Sequence, residues 1–215
     1  MSGSTPLAGR LITLEGGEGA GKTTLARALV QRLALAGLPV LRTREPGGAP
    51  GAEAVRRLVL ERGGWDPVAE AMLMAAARRE HVAHTVRPAL EAGIWVVSDR
   101  FADSTMVYQG MAGPVGPERC RTLAALALEG LAPDLTLVLD VPPGTGTRRA
   151  LGRGDTNRFE AREQAFHERV RQGFRDIVAA EPERCAVLDA TDTPHAVLLT
   201  ALAAIRERLG QDLEA

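Results

Sequence analysis

Residues 16–23 read Gly-Gly-Glu-Gly-Ala-Gly-Lys-Thr and match the pattern G-x-x-x-x-G-K-[ST]. Glycines let consecutive backbone N–H groups turn toward phosphate oxygens, and a helix that starts directly afterwards adds the positive end of its dipole. Lys22 would reach the β- and γ-phosphates of a nucleotide, and the Thr23 hydroxyl would ligate Mg²⁺. The pattern therefore predicts an ATP-binding loop made of Gly16, Gly17, Glu18, Gly19, Ala20, Gly21, Lys22, Thr23 and Thr24.

Charged residues also follow two further apolar runs, at the points where strands of a sheet would end. Asp99 and Arg100 come after the apolar run 94–97, and Arg44 follows Val40 and Leu41. Ligands of open α/β sheets bind outside the carboxyl ends of the strands. At these positions Asp99 could bind Mg²⁺, and Arg44 and Arg100 could bind phosphate groups. Solvated side chains at strand exits are the alternative interpretation.

Five short apolar runs alternate with longer segments of helical periodicity, and this alternation must position the charged residues. The runs cover residues 11–14, 40–41, 94–97, 135–139 and 186–188. Apolar runs of this length are typical of buried parallel strands. In the segment that follows the loop, Leu25, Leu29 and Leu33 recur on one helical face. The pattern predicts an α/β fold with a parallel sheet that is covered by helices on both faces.

Three segments differ from this alternation. Residues 69–92 are long, Ala-rich and predicted to be mostly helical, with Pro88 opening or breaking the last part. Residues 144–160 combine glycines with several arginines, a composition that favours an exposed mobile lid. The arginines of such a lid would neutralise the negative charge of a phosphoryl group during its transfer. A solvated basic helix end is the alternative interpretation. Residues 1–9 are expected to form a flexible tail, so residues 10–215 would be a single domain.

The composition excludes several classes of protein. The 215 residues carry 26 basic and 27 acidic side chains, so the chain lacks the basic excess of a nucleic-acid binder. Lys22 is the single lysine, which leaves no second lysine for the Asn-Lys-x-Asp guanine reader of a GTPase. Cys120 and Cys185 are too few for a disulfide framework, and no apolar run approaches the roughly 20 residues of a membrane span. We therefore expect a cytoplasmic protein without a membrane partner.

Short segments, taken in order, resemble the thymidylate kinase family from about Leu11 to the C-terminal helix. The run 99–110, Asp-Arg-Phe-Ala-Asp-Ser-Thr-Met-Val-Tyr-Gln-Gly, carries the most weight. The other segments are Leu14-Glu15-Gly16, Arg44-Glu45-Pro46-Gly47-Gly48, Ala76-Ala77-Arg78, Pro133-Asp134-Leu135-Thr136, Leu139-Asp140-Val141 and Arg158-Phe159-Glu160. The resemblance implies the P-loop nucleoside monophosphate kinase fold, with a five-stranded parallel sheet, a mobile lid at about 144–160, and a homodimer.

The resemblance also implies roles for individual residues at an acceptor site. Arg44 and Arg100 would hold the phosphate of deoxythymidine monophosphate (dTMP), Arg78 would hydrogen-bond the thymine edge, and Tyr108 would pack beneath the deoxyribose. Glu18 would lie near the acceptor sugar and the metal. The substrate-binding set is Arg44, Met74, Arg78, Arg100, Ser104, Thr105, Tyr108 and Gln109, and the metal-binding set is Thr23 and Asp99.

Two departures from the family pattern concern the base pocket and the lid. Met74 stands where many relatives have a phenylalanine that stacks on thymine, while Asn157 and Leu151 replace lid residues of some relatives. The loop contains no arginine, so the sequence resembles the bacterial type whose catalytic arginine lies in the lid. The implied catalytic set is Lys22, Arg100, Arg149, Arg153 and Glu18, to which Arg148 and Arg158 would contribute.

The implied reaction is Mg²⁺-dependent in-line transfer of the γ-phosphoryl of ATP to the 5′-phosphate of dTMP. Such a transfer needs no general base, because the acceptor phosphate is largely ionised near neutral pH. The histidines are therefore expected on helix surfaces without a role; they are His81, His84, His167 and His195. The alternatives are a kinase of another nucleoside monophosphate and a nucleotide-binding regulator without turnover, which acceptor-dependent ADP release would distinguish.

Overall fold

Five parallel strands align their carboxyl ends along one edge of a single sheet in the computed structural model, which describes residues 9–146 and 163–213. The strands are β1 (Leu11–Gly16), β2 (Val40–Arg44), β3 (Trp95–Asp99), β4 (Leu135–Asp140) and β5 (Cys185–Asp189), in the order β2-β3-β1-β4-β5. Four of the five apolar runs of the sequence lie within these strands, and the run 94–97 begins one residue before β3. In the register of β1 and β3, Leu14 lies opposite Asp99, which brings the residue that ends β3 beside the start of the glycine-rich loop.

Helices connect the strands and cover both faces of the sheet. They are α1 (Lys22–Leu35), α2 (Pro50–Glu61), α3 (Pro67–His81), α4 (Arg87–Glu91), α5 (Ala102–Thr105), α6 (Pro117–Leu128), α7 (Gln164–Ala180) and α8 (Pro194–Leu209). Two π-helical stretches, Val82–Val86 and Met106–Met111, continue α3 and α5. Pro88, which has no N–H to donate, lies in the first turn of α4, directly after the π-helical stretch Val82–Val86. The predicted α/β fold is confirmed.

Alternating side chains of the strands divide the core between the two faces. On one face, Leu14 and Leu137 pack in a cluster with Leu29 of α1 and Ile205 of α8. On the other face, Val138 packs in a cluster with α7 through residues that include Phe174. Burying each large apolar side chain is worth about 1.5–3 kcal/mol, so these two layers hold the strand ends and their charged residues in place.

Two segments predicted from the sequence, the tail and the lid, lie mostly outside the described residues. The expected tail falls on residues 1–8 apart from its last residue, Gly9, and most of the expected lid falls on residues 147–160. The lid residues Arg148, Arg149, Leu151, Arg153, Asn157 and Arg158 thus all lie outside the described residues. Among the helices of the described ranges, none is long and apolar enough to cross a membrane.

Candidate active site

The glycine-rich loop leaves β1 at Gly16 and enters α1 at Lys22. Gly16 has a φ of 135°, a conformation that favours glycine, and a Cβ atom there would collide with the carbonyl oxygen of Leu139. Lys22 is buried, and its Nζ donates to the carbonyl oxygens of Gly16 at 3.1 Å and Gly17 at 2.8 Å. Burial lowers the pKa of Lys22 to about 8. The Lys22 side chain, at the N-terminus of α1, thus folds back over its own loop.

Thr23 and Asp99 face each other across the gap between α1 and the end of β3. The Thr23 hydroxyl donates a 2.5 Å hydrogen bond to Oδ2 of Asp99. This contact requires that β1 and β3 are neighbours in the sheet, since the two residues are 76 positions apart in the chain. A hydroxyl and a carboxylate oxygen are hard ligands of the kind that Mg²⁺ accepts alongside phosphate oxygens and water.

Arg100 leaves β3 in an unusual backbone conformation. Its φ is 74°, in the left-handed region that non-glycine residues rarely adopt. Two hydrogen bonds hold it there: its N–H donates to the Leu14 carbonyl at 2.9 Å, and the Ser98 hydroxyl donates to its carbonyl at 2.7 Å. A residue whose rare backbone conformation is held by hydrogen bonds to both its N–H and its carbonyl is often found at a functional position.

The side chain of Arg100 joins the two halves of the site. Its Nη1 donates to the Gly16 carbonyl at 3.2 Å and to Ser104 Oγ at 3.0 Å, while Nη2 donates to Glu18 Oε1 at 2.7 Å and Tyr108 Oη at 3.3 Å. Although burial opposes both charges, the carboxylate of Glu18 raises the pKa of Arg100, and Arg100 lowers the pKa of Glu18. The pair therefore stays ionised, as two charges that compensate each other in a largely buried place.

A second acid, Glu15, lies beneath Arg100 inside strand β1. Its Oε1 accepts from the backbone N–H groups of Phe101 at 2.8 Å and Ser104 at 3.2 Å, and Oε2 accepts from the Ser104 hydroxyl at 2.6 Å. Burial, with the nearby charge of Asp103, raises the pKa of Glu15 to about 7. Glu15 thereby fixes the turn that carries Arg100, a role that the sequence reasoning missed although an acid in a buried strand signals one.

The end of the site that lies away from the glycine-rich loop, where the sequence predicts the acceptor, is built on Arg78 of α3. Arg78 is 4% exposed; its Nε donates to Glu45 Oε2 at 2.7 Å, and its Nη2 donates to the Phe101 carbonyl at 2.9 Å and Thr105 Oγ1 at 3.0 Å. Sequence reasoning also left Glu45 without a role. Arg78 is therefore held rigidly by partners 23 to 33 positions away in the sequence.

Aromatic and amide side chains complete this end. Tyr108 makes edge-on contacts with Phe166 and Phe174, and its hydroxyl donates to Glu18 at 3.1 Å. Gln109, expected at the base, donates its amide to buried Glu70 at 2.8 Å. Glu70 could not be identified from the sequence, because nothing in the pattern of α3 marks which of its acids face inward.

Two further arginines border the site, and a methionine forms part of its wall. Arg44, at the end of β2, is half-exposed and donates to both carboxylate oxygens of Glu53 at 3.1 Å. Arg56, not identified from the sequence, donates to the Pro46 carbonyl at 2.7 Å. Met74 is buried on α3 and presents an apolar surface.

Most of these groups line one cavity of about 510 Å³. It runs from the glycine-rich loop to α3 and α5, and thus has the volume of a site for a small organic ligand. The sequence-predicted residues that line it are Glu18, Gly19, Ala20, Gly21, Lys22, Thr23, Thr24, Arg44, Met74, Arg78, Asp99, Arg100, Ser104, Thr105, Tyr108 and Gln109. Gly16 and Gly17 are not among the lining residues, but their carbonyl oxygens accept from the lining residues Lys22 and Arg100.

The expectation that all four histidines lie on helix surfaces is wrong for two of them. His81 is fully buried and bonds Glu45 and Thr43, and His167 is 6% exposed beside Phe166. Both residues are on helices, but each faces the core because its helix packs that side against the sheet or the site. His84 and His195 are exposed, as expected.

The sheet order, the loop before α1 and the arginine-lined cavity together define a P-loop kinase of nucleoside monophosphates. The family model described as thymidylate kinase matches residues 14–198. The chain belongs to the thymidylate kinase family.

Individual relatives agree with this membership over nearly the whole chain. A thymidylate kinase from Rhizorhabdus wittichii is 51% identical over 205 residues, covering 94% of this chain and 99% of the relative. One from Nitrobacter hamburgensis is 49% identical over 208 residues, covering 94% and 90%. The crystal structure of thymidylate kinase from Ehrlichia chaffeensis superposes with a TM-score of 0.78 at 31% identity, covering 93% of this chain and 99% of that one.

The raised pKa of Glu15 predicts a pH-dependent stability. Between its ordinary value of 4.5 and about 7, the folded state binds more protons than the unfolded state, so the free energy of unfolding falls as pH rises. Glu15→Gln keeps the shape but does not titrate. Relative to this variant, the wild type should lose about 3 kcal/mol between pH 4.5 and 7.5, measured by urea unfolding. A difference between the two proteins that is constant with pH would contradict the raised pKa.

Proposed function

We propose that the arginine-lined cavity carries out the family's reaction, the ATP-dependent phosphorylation of dTMP to deoxythymidine diphosphate on the way to dTTP. The observation that carries this proposal is Arg100, which bonds the phosphate-binding loop and the acceptor end at once. Phosphoryl transfer is accelerated mainly by positioning and charge neutralisation, and a guanidinium held between donor and acceptor supplies both. A regulator without turnover has no need of this bridge.

The donor nucleotide is proposed to bind along the loop from Gly16 to Thr24. The free N–H groups at the start of α1 and the ammonium group of Lys22 would receive phosphate oxygens. Phosphate binding would exchange the loop carbonyls that Lys22 now contacts for anionic oxygens, which are stronger partners for a buried charge. Arg149 and Arg153, outside the described residues, stay our proposed lid arginines.

The acceptor is proposed to bind between Arg44, Arg78, Arg100 and Tyr108. Arg44 and Arg100 would hold the phosphate, since a guanidinium forks onto two phosphate oxygens. The buried Tyr108 ring would pack beneath the deoxyribose, where a ribose 2′-hydroxyl would clash. Arg78 would bond the thymine edge, with Ser104, Thr105, Gln109 and the apolar face of Met74 around the base.

Thr23 and Asp99 are proposed to hold Mg²⁺, the ion that neutralises charge on the transferred phosphoryl group when bound. Their oxygens lie 2.5 Å apart and so offer two hard ligands, one from the first turn of α1 and one from the end of β3. The position of Thr23 in α1 directs its hydroxyl, because α1 begins at Lys22 and its second residue faces the end of β3.

A homodimer in the cytoplasm is the proposed state of the enzyme. Large apolar side chains are exposed on three helices that pack side by side, with Leu58 of α2 at 51%, Met72 of α3 at 55% and Leu126 of α6 at 70% exposure. Exposed apolar side chains on adjoining elements are typical of a subunit interface. Cys120 and Cys185 are both free and buried, which suits a reducing compartment.

Replacing Arg100 by Ala should lower kcat/KM for dTMP by about 10²–10³-fold, because the charge that bridges donor and acceptor is lost. The KM for ATP should change by less than about threefold, since the loop keeps its N–H groups and Lys22. Coupled ADP release at varied dTMP and ATP measures both constants. Arg121→Ala, an exposed arginine on α6, is the control and should match the wild type. Equal losses for dTMP and ATP would contradict the acceptor role.

The magnesium site predicts a contrast between two substitutions of Thr23. Thr23→Ser keeps the hydroxyl and should retain turnover within about threefold, whereas Thr23→Val keeps the shape, loses the ligand and should lose about 100-fold. The Mg²⁺ concentration for half-maximal rate should rise for Val alone. Magnesium titrations of the two variants at saturating dTMP check this; identical titration curves would exclude Thr23 as a ligand.

The dimer is tested by placing a charge on its proposed interface. Leu126→Glu should shift the sedimentation coefficient from dimer to monomer, because a buried unpaired carboxylate opposes association. Leu35→Glu, the same change at a 79% exposed position of α1, should stay dimeric. A wild-type protein that sediments as a monomer at micromolar concentration would rule the proposal out.

A further inference from the structure

A line of polar side chains runs behind the acceptor end of the cavity, from β2 to α3. Thr43 Oγ1 lies 2.7 Å from His81 Nε2, His81 Nδ1 lies 2.9 Å from Glu45 Oε1, and Arg78 Nε lies 2.7 Å from Glu45 Oε2. His81, Glu45 and Arg78 are each at most 5% exposed. Buried polar groups are costly unless each has a partner, and here each of these contacts satisfies one.

The hydrogen-bond directions in this line follow from the chemistry of Glu45. A carboxylate only accepts, so Nδ1 of His81 and Nε of Arg78 both donate to it. Glu45 is thus fixed from two sides, and its own backbone N–H donates to the Asp99 carbonyl at 3.0 Å. A carboxylate that cannot rotate fixes in turn the plane of the guanidinium that it holds.

The backbone leaves room for this arrangement. Gly48 has a φ of 84°, and a Cβ atom there would lie 2.6 Å from the imidazole of His81 and would also collide with Thr43 Oγ1. The turn after β2 therefore accommodates the imidazole closely. Glu45 and Arg78 also cancel each other's charge, so the removal of either side would leave a buried charge alone.

Arg78 has one guanidinium nitrogen that these contacts do not use. Nε and Nη2 bond Glu45, Phe101 and Thr105, while Nη1 has no hydrogen-bond partner among the described residues. Because Arg78 lines the cavity, Nη1 is the nitrogen available to a ligand there. A guanidinium donates and never accepts, so it suits a carbonyl oxygen and not an amino group.

We propose that Glu45 and His81 are positioning residues that hold Nη1 of Arg78 toward the base and so select a 4-oxo over a 4-amino pyrimidine. This inference rests on the proposed function of Arg78 at the acceptor base. His81 acts through Glu45 and contacts no substrate. A guanidinium that lost this support would rotate, and the discrimination between a carbonyl and an amino group would weaken with it.

The experiment compares dTMP with 5-methyl-deoxycytidine monophosphate, which carries a 4-amino group and an unprotonated N3 where dTMP has a 4-oxo group and an N3–H. The ratio of their kcat/KM values is measured by coupled ADP release for the wild type, Glu45→Gln, His81→Leu and His81→Asn. His81→Leu removes the donor to Glu45 and should lower the ratio about tenfold, as loss of one charge-assisted hydrogen bond predicts. Glu45→Gln, whose amide accepts from only one of two donors, should lower it similarly.

The conservative variant supplies the rescue. The amide nitrogen of His81→Asn takes about the place of Nδ1, keeps the donor to Glu45 and should restore the ratio to within about threefold of wild type. Thr43→Val removes only the contact to Nε2 and should have a smaller effect, about threefold, which keeps the proposal testable if His81→Leu fails to fold. The KM for ATP should stay within about twofold in all folded variants.

Three outcomes would overturn the proposal, and they differ from one another. If Arg78→Gln lowers the ratio while His81→Leu and Glu45→Gln leave it unchanged, the base contact stands and the positioning role fails. If Arg78→Gln itself leaves the ratio unchanged, the proposed function of Arg78 fails and the inference with it. If His81→Leu lowers the melting temperature and turnover of both substrates equally, with the ratio intact, His81 is only part of the core.

Discussion

The ion pair between Arg100 and Glu18 is the interaction on which the rest of the site depends. A guanidinium at 16% exposure lies next to a carboxylate at 14%, and the attraction between the two charges offsets the cost of desolvating them. The pair spans 82 positions in the sequence and joins the glycine-rich loop to the turn after β3. This ion pair therefore fixes the distance between the glycine-rich loop and the turn after β3, the proposed donor and acceptor sides of the site.

Acids, more than bases, set the geometry of this arginine-lined cavity. Glu15 fixes the turn of Arg100, Glu18 directs its side chain, and Glu45 holds Arg78. The arginines are the proposed phosphate ligands, but a guanidinium without such support would turn toward the nearest anion, including solvent-exposed ones. Buried carboxylates restrict each guanidinium to one direction, so little reorganisation is needed when a substrate arrives.

The parts that could be predicted from the sequence are those whose signal is local. The strands appear as apolar runs, and the loop from Gly16 to Thr23 appears as a fixed pattern, because both depend on neighbours in the chain. The burial of His81 could not be predicted, since its partner Glu45 is 36 positions away and lies on a different element. Glu15 belongs to the segment Leu14-Glu15-Gly16, but its role could not be predicted. The three groups that donate to it come from Phe101 and Ser104, which follow β3 and lie near Glu15 because β1 and β3 are neighbours in the sheet.

The single lysine of this chain has a chemical consequence. Apart from the α-amino group, Lys22 is the one primary amine among 215 residues, and the 25 arginines do not react with acylating reagents at neutral pH. That amine is buried and bonded to two carbonyls of its own loop. Amine-directed labelling of this protein thus has one side-chain target, and with Lys22 in its proposed role the labelling rate would report the occupancy of the glycine-rich loop without any engineered probe.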